Sequence, residues 1–468
     1  MGFVLSILYF AVDYLTSPVL FGPLAVARVE LILSVLLMLV SLPRLNGSIV
    51  LKTPQSVALI GLALATSLSV LFGQHWAWGA VQAFPATIPF LYAYFLVCLH
   101  CNSKKKLQAI VLLLLFVCLF VTAQGYIDLI RGVSGSISIL PGVGPSFNPN
   151  LWNSEHPYLL AMGNDASEIF YRLRGLGFLN DPNDFAQLLV CVIPLLFIFW
   201  RPKKSFRNFI FVLLPTSVLL YGTFLTHSRG ALLALIAVAV VAARRRIGTT
   251  PALLLAVGIF AAAMALNFTG GRDISASSGS DRTTLWNAGM QMLKYHPIFG
   301  VGLGAFADNC DGCRHTAHNS LIICAAELGM FGLFFWSLFL YPTMKDALSI
   351  ASPEKVSEAE PIPIEKELRP QSAMKIETLD KAEVNRLGQL LVLSLTGFLV
   401  AGWFLSRAYV MTFFLLGGMV EVVYEMALRQ GMVAPRQRMK LVLRNTAILA
   451  VSLILLMYIL LRITNLMH

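Results

Sequence analysis

Between 310 and 321 the chain reads Cys310-Asp-Gly-Cys-Arg-His-Thr-Ala-His-Asn-Ser-Leu, gathering two cysteines, an arginine and two histidines into one short stretch. An imidazole is the side chain best suited to take a proton from a hydroxyl near neutral pH. His318, followed at once by Asn319, is the stronger candidate because it stands at the start of a long apolar run, and His315 ranks below it. Taken alone, a boundary histidine is more simply bonded to a backbone carbonyl. Cys310-x-x-Cys313 followed by two histidines resembles a zinc ligand set. A single residue separates the two pairs, however, against about 12 in a zinc finger. A local disulfide between Cys310 and Cys313 is therefore expected, with free thiols as the alternative. Asp181 and Asp184 could ligate a cation, but turn formation and capping around Asp-Pro explain them equally well. No metal and no cofactor is expected.

Three other segments carry polar groups that could join these histidines. They are Arg172 and Arg174 before an apolar run, Thr226-His-Ser-Arg-Gly between two apolar runs, and Asp281-Arg282 at the start of an amphipathic stretch. An arginine at a bilayer boundary is unfavourable unless paired or hydrated. Its planar fork matches phosphate oxygens, so several arginines converging from different helices suit a diphosphate. The plainer reading is that each one snorkels to the headgroups. Arg174, Arg229 and Arg282 each sit in a local motif rich in Gly, Asn or Asp, which favours a binding role. His227 and Asp281 are supporting candidates beside Asn319.

What must position these groups is a membrane-embedded helical scaffold. Of the 468 residues, 57% are hydrophobic and only 13% charged, with a mean hydropathy of +0.74. A soluble protein would carry about twice that charged fraction. Apolar runs near the roughly 20 residues needed to span a bilayer occur at 3–20, 24–41, 55–72, 80–99, 107–129, 183–200, 207–226, 230–243, 251–267, 319–343, 387–406, 408–427 and 445–462. The expected fold is all-α and polytopic, with 12–13 transmembrane helices. The first run lacks a basic leader and contains Asp13, so it reads as a retained helix rather than a signal peptide.

The net charge of +11 is explained by location. Of the 35 Lys and Arg residues, 24 fall in alternate loops: Arg44 and Lys52, then 104–106, 201–207, 244–246, 345–386 and 429–444. That is the positive-inside pattern of cytoplasmic loops. Basic residues spread over many short loops exclude a nucleic-acid footprint. The N-terminus is then cytoplasmic, and an odd helix count puts the C-terminus outside.

The chain divides into N-terminal transmembrane helices (1–130), an outer loop (131–182), a second helical block (183–267), a large outer loop (268–318), one helix (319–343), a cytoplasmic loop (344–386) and C-terminal helices (387–468). The cytoplasmic loop is rich in Glu, Lys and Pro without apolar periodicity and is expected to be disordered. The 268–318 loop should contain a surface helix over about 282–294, capped by Ser280 or Asp281, with Trp286, Met290 and Leu293 on one face. Cys98, Cys101, Cys118, Cys191 and Cys324 read as small buried hydrophobes.

Arg174-Gly-Leu-Gly-Phe-Leu-Asn-Asp-Pro-Asn-Asp-Phe-Ala, Thr226-His-Ser-Arg-Gly, Ser280-Asp-Arg with Trp286, His296-Pro-Ile-Phe-Gly-Val-Gly-Leu-Gly, and His318-Asn-Ser-Leu with Glu327-Leu-Gly follow in that order. Together, over about 170–340, they resemble the bacterial O-antigen ligase and polymerase superfamily. The flanking helices match only in hydrophobicity. The resemblance implies a multi-pass glycosyltransferase of the bacterial inner membrane with its active site facing the periplasm. Its donor would be a glycan on undecaprenyl diphosphate. Its acceptor would be a lipid A core sugar, the next repeat unit, or a protein Ser or Thr. It also implies that Arg174, Arg229 and Arg282 bind the diphosphate and that His318 is the catalytic histidine. The Cys310/Cys313 pair departs from the family pattern.

Two functions outside this class compete. A lipid-linked sugar transporter should place charge near the membrane midplane and show inverted repeats, whereas the charges gather at one face and no repeat is visible. A non-catalytic envelope scaffold would not need convergent Arg and His groups.

Overall fold

The computed structural model describes residues 1–15, 28–45, 49–135, 156–162, 170–266, 268, 276–310, 316–352 and 376–466. Cys313, His315, the side chain of Asp281 and most of the 344–386 loop lie outside the described residues. The helices are α1 (Gly2–Leu15), α2 (Val29–Leu45), α3 (Pro54–Gly73), α4 (Ala77–His100), α5 (Lys104–Gly135), α6 (Pro182–Leu195), α7 (Ser205–Leu225), α8 (Arg229–Ile247), α9 (Thr249–Ala265), α10 (Ala276–Tyr295), α11 (Ser320–Ala351), α12 (Lys381–Gly402), α13 (Met411–Arg429) and α14 (Met439–Leu466). Among the described residues, nine helices are long and apolar enough to cross a membrane, and α1 and α9 are shorter apolar helices. The protein is an all-α, polytopic membrane protein. The 230–243 run is part of α8, which ends in Arg244, Arg245 and Arg246.

Helices begin where short polar side chains can accept the first free amides. Asp181 accepts from the Asn183 amide at 2.7 Å, with Pro182 at the first helical position. Ser228 accepts from the Ala231 amide, and Thr53 from that of Ser56. The core is apolar and continuous through α3, α4, α6, α11, α12 and α13. Helices α7 and α14 lie at the periphery and expose most of their apolar surface, as lipid-facing helices should.

The basic loops meet at one end of this bundle. Lys104 at the start of α5 pairs with Glu383 of α12. Arg386 donates to the carbonyls of Phe197 and Ile198 at 2.7 and 2.9 Å. Arg436 bridges Asp346 of α11 and Glu421 of α13 at 2.8 and 2.6 Å. The groups singled out for chemistry lie at the starts of α6, α8 and α11, whose far ends approach these contacts, so they share the opposite end.

Three local features differ from the sequence reading. A small antiparallel ribbon, β1 (Leu159–Met162) with β2 (Phe170–Leu173), pairs Leu159 with Leu173 and Leu160 with Arg172. Strands of four residues carry too little alternation to stand out in a sequence. Helix α10 starts at Ala276, about a turn before the expected cap, so Ser280 and Asp281 lie inside it. Gly279 weakens the helical signal there. The 387–406 run leaves the helix at Gly402, and Trp403, Phe404, Leu405, Ser406 and Arg407 form a turn before α13.

Helix α11 is broken at Gly329, whose φ of 64° and ψ of −166° leave the helical region. The segment that follows Pro297 fills the break. The amides of Met330 and Phe331 donate to the carbonyls of Pro297 and Ile298, while Val301 and Gly302 donate to those of Ala326 and Glu327. A Cβ on Gly300 would stand 2.4 Å from the Glu327 carbonyl carbon, and one on Gly329 2.3 Å from the Ile298 oxygen. Both glycines therefore serve a close backbone crossing. The Glu327 carboxylate accepts from the amides of Gly304 and Phe306 and fixes the same loop.

Candidate functional site

At the start of α11, Asn319 is the N-cap. Its Oδ1 accepts from the amides of Leu321 at 2.9 Å and Ile322 at 3.1 Å, and its side chain is fully buried. His318 precedes it with a φ of 48°, a left-handed conformation that a non-glycine residue holds only when its surroundings impose it. Two bonds do so. The His318 amide donates to Ser406 Oγ at 2.8 Å, and Trp286 Nε1 of α10 donates to the carbonyl of Ala317 at 2.9 Å.

The start of α8 repeats this pattern. His227 has a φ of 47° and stands directly before the N-cap Ser228. Its Nδ1 makes a 2.9 Å hydrogen bond with the Phe268 carbonyl, and its ring meets Phe224 edge-on. That bond ties His227 to the end of α9. Arg229 is the first residue of α8, and a Cβ on Gly230 would lie 3.1 Å from Phe404 Cβ. Arg282 stacks its guanidinium over the ring of Phe404 at 5.4 Å. Trp286 and Trp403 pack edge to face with centroids 6.2 Å apart.

The turn after α12 thus touches the start of α8, the face of α10 and the residue that begins α11. It is met by Gly230, next to Arg229, by the Arg282 guanidinium and by the His318 amide. It is also what sequence reasoning missed. Most of its residues fall in the apolar run 387–406 that reads as a membrane helix. The available signal was a glycine followed by Ser-Arg in an otherwise apolar run. Arg407 pairs with the buried Asp184 of α6. Burial pulls its pKa down, and the Asp184 carboxylate more than offsets that, leaving it raised.

Arg174 lies at the end of the ribbon. Its amide donates to the Tyr158 carbonyl and its Nε to that of Pro157, both at 2.9 Å, so it closes the ribbon. Burial lowers its pKa, with nearby Asp181 opposing. Its neighbour Arg172 makes the connection to the other motifs. It is buried, with Nε donating to the Thr226 carbonyl at 2.8 Å and Nη2 to Asn183 Oδ1 at 2.9 Å.

Cys310 is disulfide-bonded, while Cys98, Cys101, Cys118, Cys191 and Cys324 are buried free thiols. Burial pushes the Cys101 thiol up to about 12, which keeps it protonated and inert. Among the described residues, no group of three His, Cys, Asp or Glu side chains has the arrangement of a metal site.

These features define a polytopic membrane protein with a polar site at one end. Residues 214–337, from within α7 through α10 to the middle of α11, match the family model described as O-antigen ligase, and the chain is O-antigen ligase-like in that region. No curated protein matches the chain.

Proposed function

We propose that the protein transfers a glycan from an undecaprenyl-diphosphate carrier to an acceptor hydroxyl at the periplasmic face of the bacterial inner membrane. The observation that supports this reading is that Gly230, beside Arg229, the Arg282 guanidinium and the His318 amide, all from the segment that matches the O-antigen ligase family, contact the one turn at 403–407. The acceptor oxygen attacks the anomeric carbon while the bond from that carbon to the diphosphate oxygen breaks. The hydroxyl proton passes to the His318 imidazole. The departing diphosphate carries the electron pair, and Arg174, Arg229 and Arg282 stabilise its charge. In-line attack inverts the anomeric centre. Arg174 joins from the ribbon, where Arg172 links its strand to the Thr226 turn.

A ligase, a repeat-unit polymerase and a protein O-oligosaccharyltransferase share this chemistry and differ in acceptor. Purified protein in membranes is supplied with an undecaprenyl-diphosphate glycan and, separately, a lipid A core, a second donor glycan, or a serine-containing peptide. Product with one acceptor names the branch. His318→Ala should abolish transfer while leaving a folded protein. Absence of product with every acceptor, or full activity in H318A, overturns the reading.

A further inference from the structure

The turn after α12 is bonded to the start of α11 from both sides of His318. Ser406 Oγ accepts from the His318 amide at 2.8 Å and from Thr316 Oγ1 at 2.9 Å, so one oxygen spans the Ala317 peptides. In the reverse direction, Ser320 Oγ donates to the Leu405 carbonyl at 2.7 Å and accepts from the Arg407 amide at 3.1 Å. These four bonds join 405–407 to 316–320 on either side of a histidine held at a φ of 48°. The turn is in turn fixed to the bundle. The Arg407 guanidinium pairs with Asp184, which is 5% exposed in the first turn of α6. Its charge is thereby committed to a buried carboxylate. Gly402, where α12 ends, sits close against Ser320, with 3.3 Å from a built Cβ to Ser320 Oγ.

We propose that Ser406 and Arg407 are positioning residues: they form a strap, anchored on Asp184, that holds the His318 backbone in its left-handed conformation and so aims the imidazole. The catalytic part of this inference rests on the transferase reading above, whereas the strap itself does not. A left-handed non-glycine residue is disfavoured and persists only where its surroundings impose it. Without the Ser406 hydroxyl, the amide of His318 loses its partner and the residue relaxes toward an ordinary conformation. The imidazole moves with it, and misplacement by about 1 Å can cost on the order of a hundredfold in rate.

The test compares the full-length wild type with Ser406→Ala, Ser406→Thr, His318→Ala and the S406A/H318A double variant. Two readouts are taken: transfer kinetics, and amide hydrogen exchange of a peptide covering 316–322. S406A should lower kcat tenfold or more with the KM for the lipid-linked donor within twofold, and S406T should restore the rate. The S406A/H318A double variant should be as inactive as H318A, because the serine acts through the histidine. The His318 amide should exchange at least tenfold faster in S406A and not in S406T. A kcat for S406A within twofold of wild type, or an S406T rate as low as that of S406A, overturns the assignment. If S406A does not fold, Ser320→Ala frees the same turn from its other side. The same fall in kcat is then expected, and an unchanged kcat overturns the proposal. A wild type without transfer activity sinks the transferase reading alone. The exchange arm then decides the strap, and unchanged protection in S406A refutes it.

Discussion

Replacing Asn319 separates two things this residue could do, capping α11 and supporting the chemistry beside it. Its Oδ1 satisfies two amides, at 2.9 and 3.1 Å, in a position with no solvent exposure. Asn319→Ala leaves both amides without that partner in the protein interior. Loss of an N-cap is worth about 1 kcal/mol and up to about 2, and burial of both amides puts this site at the upper end. Two kcal/mol is roughly a thirtyfold change in a folding equilibrium. The lifetime of the purified protein in detergent at elevated temperature should therefore fall well below that of wild type. Because His318 is fixed between this cap and Ser406, kcat should also drop by tenfold or more. Asn319→Asp is the informative partner. A carboxylate keeps both amide bonds, and the positive end of the helix favours its charge. It removes only the Nδ2 donor, which has no hydrogen-bond partner among the described residues. N319D should thus stay within about 1 kcal/mol of wild-type stability. Its negative charge next to His318 should nonetheless repel a diphosphate and slow transfer. Wild-type stability in N319A refutes the capping reasoning. Wild-type transfer in a well-folded N319D refutes the placement of an anionic leaving group there.

Other perturbations test other parts of the arrangement. Arg282→Lys keeps the charge but loses the planar fork, so donor binding should weaken nearly as much as in Arg282→Ala, read as the donor KM in the transfer assay. Gly300→Ala puts a Cβ 2.4 Å from the Glu327 carbonyl carbon at a φ of 70°, and thermal unfolding in detergent should show a loss of 1 kcal/mol or more, on the order typical of such sites. Arg436→Ala leaves Asp346 and Glu421 facing each other without their shared cation. The expected loss is about 3–5 kcal/mol, seen as poor recovery of folded protein, and the added substitutions Asp346→Asn and Glu421→Gln should restore much of it. Trp286→Phe removes the bond to the Ala317 carbonyl and should lower stability by about 1 kcal/mol, in the same unfolding assay.

The helical framework was legible because membrane spans are written in composition and length. The thirteen apolar runs correspond to helices in order, and the alternate basic loops meet at one end through the Lys104, Arg386 and Arg436 contacts. Helix starts were legible where a cap residue marks them, as at Asp181, Ser228 and Asn319. The turn at 403–407 was not. Hydropathy averages over about 20 residues, so Trp403, Phe404 and Leu405 disappear into the run that precedes them. The ribbon was lost for a related reason. It supplies only four residues per strand, and its main product is the placement of Arg172 and Arg174 rather than any periodic signal.

What joins the motifs is backbone geometry that residue type does not encode. Both His227 and His318 occupy the left-handed region directly before an N-cap, at the end of the bundle where α8 and α11 begin. Each such residue lowers stability by about 1–3 kcal/mol, so it persists only where other bonds impose it. At His227 the Phe268 carbonyl supplies a tie to the end of α9. At His318 the ties are Trp286 through Ala317 and Ser406 through the amide. The partners come from α9, α10 and the turn before α13, far apart in sequence. A Ser-Arg pair or a lone tryptophan carries no sign of which histidine it will hold. The residue types named the chemistry, whereas the bonds that aim it become visible only once the bundle has closed around them.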